Sequence, residues 1–235
     1  MTTLRNQRGF TLTELLVSAL VAGLFAAAAG GYYRSEVRTL SIHSGTLAAT
    51  DKVRSAMTFL TRELRVAGYD PRLTALTTAG YKGIRFAGPN AVWIVWDANQ
   101  DGSIDYNATD PNAESVIYTY DSANQIIVRT VAGVDQTLVS NVPAGAFSFQ
   151  YFDTAGNALA FDTAASFVVP SGAPSLSSAV SSILNGQGQV LSPTNRDAIA
   201  LVRVSIQVQT VGITPAFNLA LASRITLPAR ILDKL

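Results

Sequence analysis

The sequence predicts an α+β fold: a long N-terminal helix, transmembrane in its first half, that packs through its second half on an antiparallel β-sheet head. Three observations carry that expectation. Residues 10–33 hold a single charged side chain, Glu14, and at about 1.5 Å per residue such a stretch crosses a bilayer core of about 30 Å. Leu40, Leu47, Val53, Met57, Leu60 and Leu64 then recur at spacings that keep them broadly on one helical face. From about residue 80 short runs of β-formers alternate with turn residues.

Composition narrows the function classes. The chain has 235 residues, 48% hydrophobic and 14% charged, with a formal net charge of +1. It can bury a sizeable core and exerts no overall pull on polyanions, so no specific nucleic acid is expected. The absence of cysteine excludes disulfides, thiolate zinc sites and cysteine nucleophiles, and the single histidine leaves little for a metal site or a Ser-His-Asp triad. That residue, His43, is read as a helix-surface or packing residue, and no catalytic residue is assigned.

The helix is expected to run from Phe10 to about Ala67, with Gly30, Gly31 and Gly45 as candidate bends. Arg54, Arg62, Glu63 and Arg65 should lie off its buried face. Gly68 is its expected stop, and Asp70-Pro71 follows. Strands are expected at 83–87, 91–97, 115–120, 125–130, 136–142, 146–152, 199–210 and 218–227. Short links such as Gly88-Pro89-Asn90 favour antiparallel hairpins. In the penultimate strand Val202, Val204, Ile206 and Val208 alternate with Arg203, Ser205, Gln207 and Gln209, which predicts one buried and one wet face. Residues 170–196 contain seven serines, three glycines and three prolines, the mark of an exposed excursion in which 176–184 could form a short helix. Trp93 and Trp96 are expected in the core, or at an exposed tip serving adhesion.

Arg5 and Arg8 precede the apolar stretch and place the short N-terminus in the cytoplasm, with the head exported. A cleaved secretory signal is the alternative, with small residues at 26–31. Glu14 weighs against it, because a carboxylate in hydrocarbon costs a few kcal/mol unless paired. Arg8-Gly9-Phe10, followed by Thr11-Leu12-Thr13-Glu14-Leu15-Leu16-Val17, resembles the class III signal of type IV prepilins. The resemblance implies a type IV pilin fold, cleavage after Gly9 by a prepilin peptidase, and methylation of the new N-terminus at Phe10. It further implies that Glu14 meets the amino group of a neighbouring subunit as the helix joins a filament, although a glutamate near a helix end could instead reach headgroup water.

Leu60-Thr61-Arg62-Glu63-Leu64-Arg65-Val66-Ala67-Gly68-Tyr69 is similar to the helix end of PilW-like minor pilins. Leu221-Ala222-Ser223-Arg224-Ile225-Thr226-Leu227 is similar to the last strand of PilW-like and GspJ-like families, and Pro228-Ala229-Arg230 departs from their pattern. The resemblance implies four segments: a leader at 1–9, a transmembrane and filament-core helix at 10–33, a head-packing helix at 34–68 and a β-rich head at 69–235. It implies a minor pilin that primes pilus assembly at or near the tip, held in the inner membrane with its head in the periplasm before reaching the cell surface. Adhesion and twitching motility are the associated roles. The implied partners are other minor pilins, the major pilin, the prepilin peptidase, the inner-membrane assembly platform and a tip adhesin. A GspJ-like minor pseudopilin of a type II secretion system is the alternative, and a membrane-tethered enzyme or ligand-binding domain is a third class that lacks a convergent polar site.

One loop carries ligand chemistry. Asp97, Asn99, Asp101, Ser103 and Asp105, with Gly102 between them, have the spacing of an EF-hand-type Ca2+ loop. Position 12 is Ala108 rather than a bidentate glutamate, so Asp110 or Glu114 would have to supply a further carboxylate. Trp96 and Tyr118 suggest strands on either side. Structural calcium and an ion-free acidic turn are both compatible with this pattern.

Overall fold

A computed structural model describes residues 10–76, 82–162, 175–186, 188–209 and 218–227. The leader with Gly9, residues 170–174 of the expected excursion, and Pro228-Ala229-Arg230 lie outside the described residues. The chain divides into two units, Met1–Thr46 and Leu47–Leu235.

The first unit is helical. Helix α1 (Leu12–Val66) is continuous over 55 residues and passes through Gly30, Gly31 and Gly45 without interruption. Leu15, Leu16, Leu20, Leu24 and Phe25 are all exposed, the reverse of what water selects and the normal state of a helix made for lipid or for other helices. By length and composition it is long and apolar enough to cross a membrane.

In the second unit the same helix becomes one-sided. Val53, Ala56, Met57, Leu60 and Leu64 are buried at spacings of three and four, the face expected of an amphipathic helix. Leu40 and Leu47 are each 65% exposed, which corrects the expectation that the whole apolar stripe packs. Glu63 is a second correction: expected on the wet side, it is buried. The helix ends at Gly68, whose φ of +86° takes the left-handed conformation that glycine tolerates. Its N–H donates to Val95 O at 3.0 Å. Gly83, at φ +82°, lies so close that a Cβ there would sit 2.2 Å from Gly68 Cα, so two glycines seat the helix end against the first strand.

The described residues form two antiparallel sheets. The first is a meander of β1 (Ile84–Ala87), β2 (Ala91–Val95), β3 (Ser115–Asp121), β4 (Ile126–Val131) and β5 (Val134–Ser140) in that order. The second has β6 (Phe147–Phe152), β7 (Leu201–Gln209) and β8 (Asn218–Thr226), with β7 central. Every expected strand is present, its ends within two residues of those expected. In β7 the expected alternation holds: Val202, Val204, Ile206 and Val208 are buried, while Arg203, Gln207 and Gln209 are exposed.

One core joins the buried face of α1 to Val92, Ile94, Val116 and Ile127 of the first sheet and to Phe147, Phe149, Val202 and Val204 of the second. The opposite face of the first sheet is also covered. Phe86, Trp93, Val95 and Ile117 form a second core with Val180 and Leu184 of helix α2 (Ser178–Asn185) and with Val190. This explains why the run at 91–95 is apolar without alternation. It also corrects the expectation of an exposed excursion at 170–196: α2 is capped by Ser177 and buries Val180 and Leu184, and a short helix α3 (Pro193–Asp197) follows. Ser177 and Ser192 serve as caps and Pro193 as a helix start, while the sparse aliphatic residues do the packing.

Candidate functional site

At the start of α1 the unpaired N–H groups of the first turn need acceptors. Thr11 and Glu14 supply them reciprocally: Thr11 N–H and Oγ1 donate to Glu14 Oε2 at 3.0 and 2.9 Å, and Glu14 N–H donates to Thr11 Oγ1 at 3.3 Å. This is a capping box, and the Thr-x-x-Glu spacing that announces it stands in the sequence. The prepilin resemblance gives Glu14 a partner in another subunit and passes over Thr11, which holds it within the chain. Both residues are exposed, as is Phe10 beside them, so the arrangement presents a carboxylate, tied only to its own helical turn, at the head of an apolar helix.

A second carboxylate on the same helix has the opposite surroundings. Glu63 receives Arg129 Nη2 at 2.6 Å and Arg129 Nε at 3.0 Å, and the hydroxyl of Tyr118 donates to it as well. Arg129 reaches on to Asp110, with Nη1 to Oδ2 at 2.8 Å and Nη2 to Oδ1 at 2.9 Å, and its guanidinium lies 5.9 Å from the centre of the Phe59 ring. Burial alone would lower the arginine's pKa, yet hydrogen bonds to Asp110 and Glu63 raise it. Burial, then the neighbouring Glu63 charge, pushes the Tyr118 hydroxyl far up, so it stays a donor. The hydrogen bond from Arg129 holds the Asp110 carboxyl below its ordinary value. Charge is thus neutralised where it is buried, which leaves this cluster a clamp between α1 and the first sheet rather than a reactive site.

The acidic loop lies between β2 and β3, in keeping with the aromatic residues that flank it. Asp97 is fully buried and accepts Gln100 N–H at 2.6 Å and Gly102 N–H at 3.0 Å. Glu114 is equally enclosed: Oε1 accepts Ala98 and Asn99 N–H, each at 3.1 Å, and Oε2 accepts Asp105 N–H at 2.8 Å. Asn99 Oδ1 accepts Asp101 N–H, Asp101 Oδ1 accepts the N–H and hydroxyl of Ser103, and Asp105 accepts Asn107 N–H. The Ser103 hydroxyl, then its N–H, keeps the Asp101 carboxyl below its ordinary value. Ile104 and Tyr106 anchor the loop on the second core, Tyr106 meeting Trp93 edge-on at 6.1 Å.

The residues read as calcium donors are therefore brought into one loop, but each carboxylate faces backbone N–H groups. Asp110 is drawn away to Arg129, and Glu114 is the loop's internal hub. Among the described residues no group of three or more His, Asp or Glu side chains is gathered to hold a metal ion. Asp97 and Glu114 thus close the loop through its own N–H groups.

Comparison with the curated proteins and with the solved structures returned no match. Residues 4–30 match the family model described as the prokaryotic N-terminal methylation motif. That match spans the Gly9-Phe10 junction, the Thr11–Glu14 cap and most of the exposed apolar helix. With the long helix and antiparallel β head it supports a prepilin-type signal, and with it a type IV pilin or pseudopilin.

Proposed function

We propose that this chain is a minor type IV pilin of the PilW-like kind, which primes pilus assembly and sits at or near the pilus tip. The observation that carries the reading is the N-terminal methylation motif running into a continuous helix whose apolar surface is exposed. Such a surface needs lipid before assembly and neighbouring helices after it. Glu14 then guides entry: its carboxylate exchanges the Thr11 cap for the amino group at Phe10 of an adjacent subunit, so both charges leave water already paired. The similarity of residues 60–69 and 221–227 to PilW-like chains favours a minor component. The activity is protein assembly, with other pilins, the prepilin peptidase and an inner-membrane platform as partners.

The test is quantitative mass spectrometry of sheared surface filaments and of the remaining envelope from cells expressing the natural chain. A peptide beginning at methylated Phe10, at low stoichiometry in filaments, is expected. The same peptide confined to the envelope beside secretion-system components would favour a GspJ-like pseudopilin. A mature chain beginning elsewhere would defeat both readings.

A further inference from the structure

Open sheet edges invite pairing with other chains unless they are covered or guarded, and the head treats its four edges unequally. At β1, Leu191 N–H donates to Ala87 O at 2.9 Å and Arg196 Nη1 to Arg85 O at 2.6 Å. At β6, Phe149 N–H donates to Pro89 O at 2.8 Å and Leu159 N–H to Tyr151 O at 2.9 Å. β5 carries Asp135 near its start, and its pairing with β4 is irregular between Ile127 and Val128. β8 has a charge, as β5 does, but among the described residues neither a covering segment nor an irregular register. It pairs with β7 in unbroken register from Leu201 opposite Thr226 to Gln209 opposite Asn218. It contains neither proline nor glycine, and Arg224 is its single charge. Among the described residues its outer edge takes no backbone hydrogen bond.

Both faces at this edge are also incomplete. On the wet face Arg224 stands directly opposite Arg203, and Arg203 opposite Gln150. Among the described residues no carboxylate pairs with either arginine, and like charges facing each other across strands are unfavourable. The Arg224 guanidinium rests 6.0 Å from the centre of the Phe152 ring instead. On the core face Leu221 lies opposite fully buried Ile206 yet is 37% exposed, and among the described residues no strand flanks it beyond β8.

We propose that the outer edge of β8 docks an extended segment of a different protein, which adds a strand to the second sheet. That segment places a carboxylate beside Arg224 on one face and aliphatic side chains beside Leu221 and Ile225 on the other. Main-chain hydrogen bonds provide affinity, and the alternating side chains select the partner. A second copy of β8 does not meet this demand, since it brings another arginine and no carboxylate. The inference goes beyond the filament reading: entry into a filament uses α1, whereas this edge belongs to the head and can be occupied whether or not the chain assembles.

The test uses the purified full chain in detergent and two labelled nine-residue peptides, one alternating valine with glutamate and one alternating valine with lysine. Fluorescence anisotropy at low salt is expected to show the glutamate peptide bound at least tenfold more tightly, with slowed amide exchange across residues 218–226. Arg224→Glu, at an exposed position, is expected to reverse that order, and Leu221→Ser to weaken both peptides several-fold. The inference is overturned if neither peptide slows exchange in β8, if Arg224→Glu leaves the preference unchanged, or if the chain protects β8 by pairing with itself.

Discussion

Two of the glutamates of helix α1, Glu63 and Glu14, are held in opposite ways. Glu63 is buried and bonded by Arg129 and Tyr118 from neighbouring strands of the first sheet, so its charge is spent within the fold. Glu14 is exposed and bonded only to Thr11 of its own first turn. The first must stay where it is for the head to remain seated on the helix. The second can exchange one hydrogen-bonding partner for another without disturbing any packing. A carboxylate whose partner lies across the fold is structural, whereas one bonded only within its own turn is free to take the assembly role proposed for Glu14.

The largest expected effect comes from breaking the buried member of the pair. Arg129→Ala leaves Glu63 enclosed and without its counter-ion, and should lower head stability by about 3–5 kcal/mol, read as the urea midpoint of the detergent-solubilised chain. Adding Glu63→Leu to Arg129→Met should recover much of that loss, because an apolar pair of similar volume carries no desolvation cost. No recovery would mean that Glu63 is not where the cost arises.

Glu114 offers an intermediate case, a buried carboxylate that bonds backbone rather than a cation. Glu114→Ala abandons the N–H groups of Ala98, Asn99 and Asp105 and should cost about 2–3 kcal/mol. Amide exchange should accelerate across the loop and not in α1. A melting temperature that calcium leaves unchanged would reject the loop as an ion site, its own N–H groups sufficing to close it. A calcium-dependent rise that Asp97→Ala and Asp101→Ala abolish would show instead that the side chains turn to ligate the ion.

A smaller effect separates the clamp's exposed end from its buried one. Asp110 has a folded pKa below its ordinary value because of its hydrogen bonds to Arg129. Its contribution is therefore fully present above the usual carboxylate range and is lost as pH falls through the depressed folded value. Asp110→Asn should flatten the acid limb of the stability profile while leaving stability near neutrality only slightly lower, since half of that side chain is open to water. Smallest of all, Thr11→Ala should leave head melting unchanged and speed amide exchange only in the first turns of α1, because the cap it removes lies within the first helical turn.

Much of this arrangement is legible in the amino-acid sequence. Alternation at 202–208 sets which face of β7 is buried, and the absence of charge over 15–33 marks the exposed helix. Both are local patterns, set by a periodicity of two residues or by plain length. What escapes such reading depends on distant partners. Glu63 stands among arginines on the helix and reads as a solvent-facing residue, because its burial is decided by Arg129, 66 residues away. The segment at 170–196 looks too rich in breakers to pack, yet Val180, Leu184 and Val190, with Leu176 and Ile183 beside them, pack on one face of the first sheet. Spacing locates the acidic loop, but not the way its carboxylates turn, because Glu114 and Arg129 compete for its groups from outside the motif.

The most direct test concerns the exposed member of the pair. Cells expressing Glu14→Ala or Glu63→Gln are compared with the natural chain by the fraction of mature protein recovered in sheared filaments. The account predicts that Glu14→Ala is still processed at Phe10 yet stays in the membrane fraction, while Glu63→Gln enters filaments with a less stable head. Undiminished recovery of Glu14→Ala in filaments would contradict it.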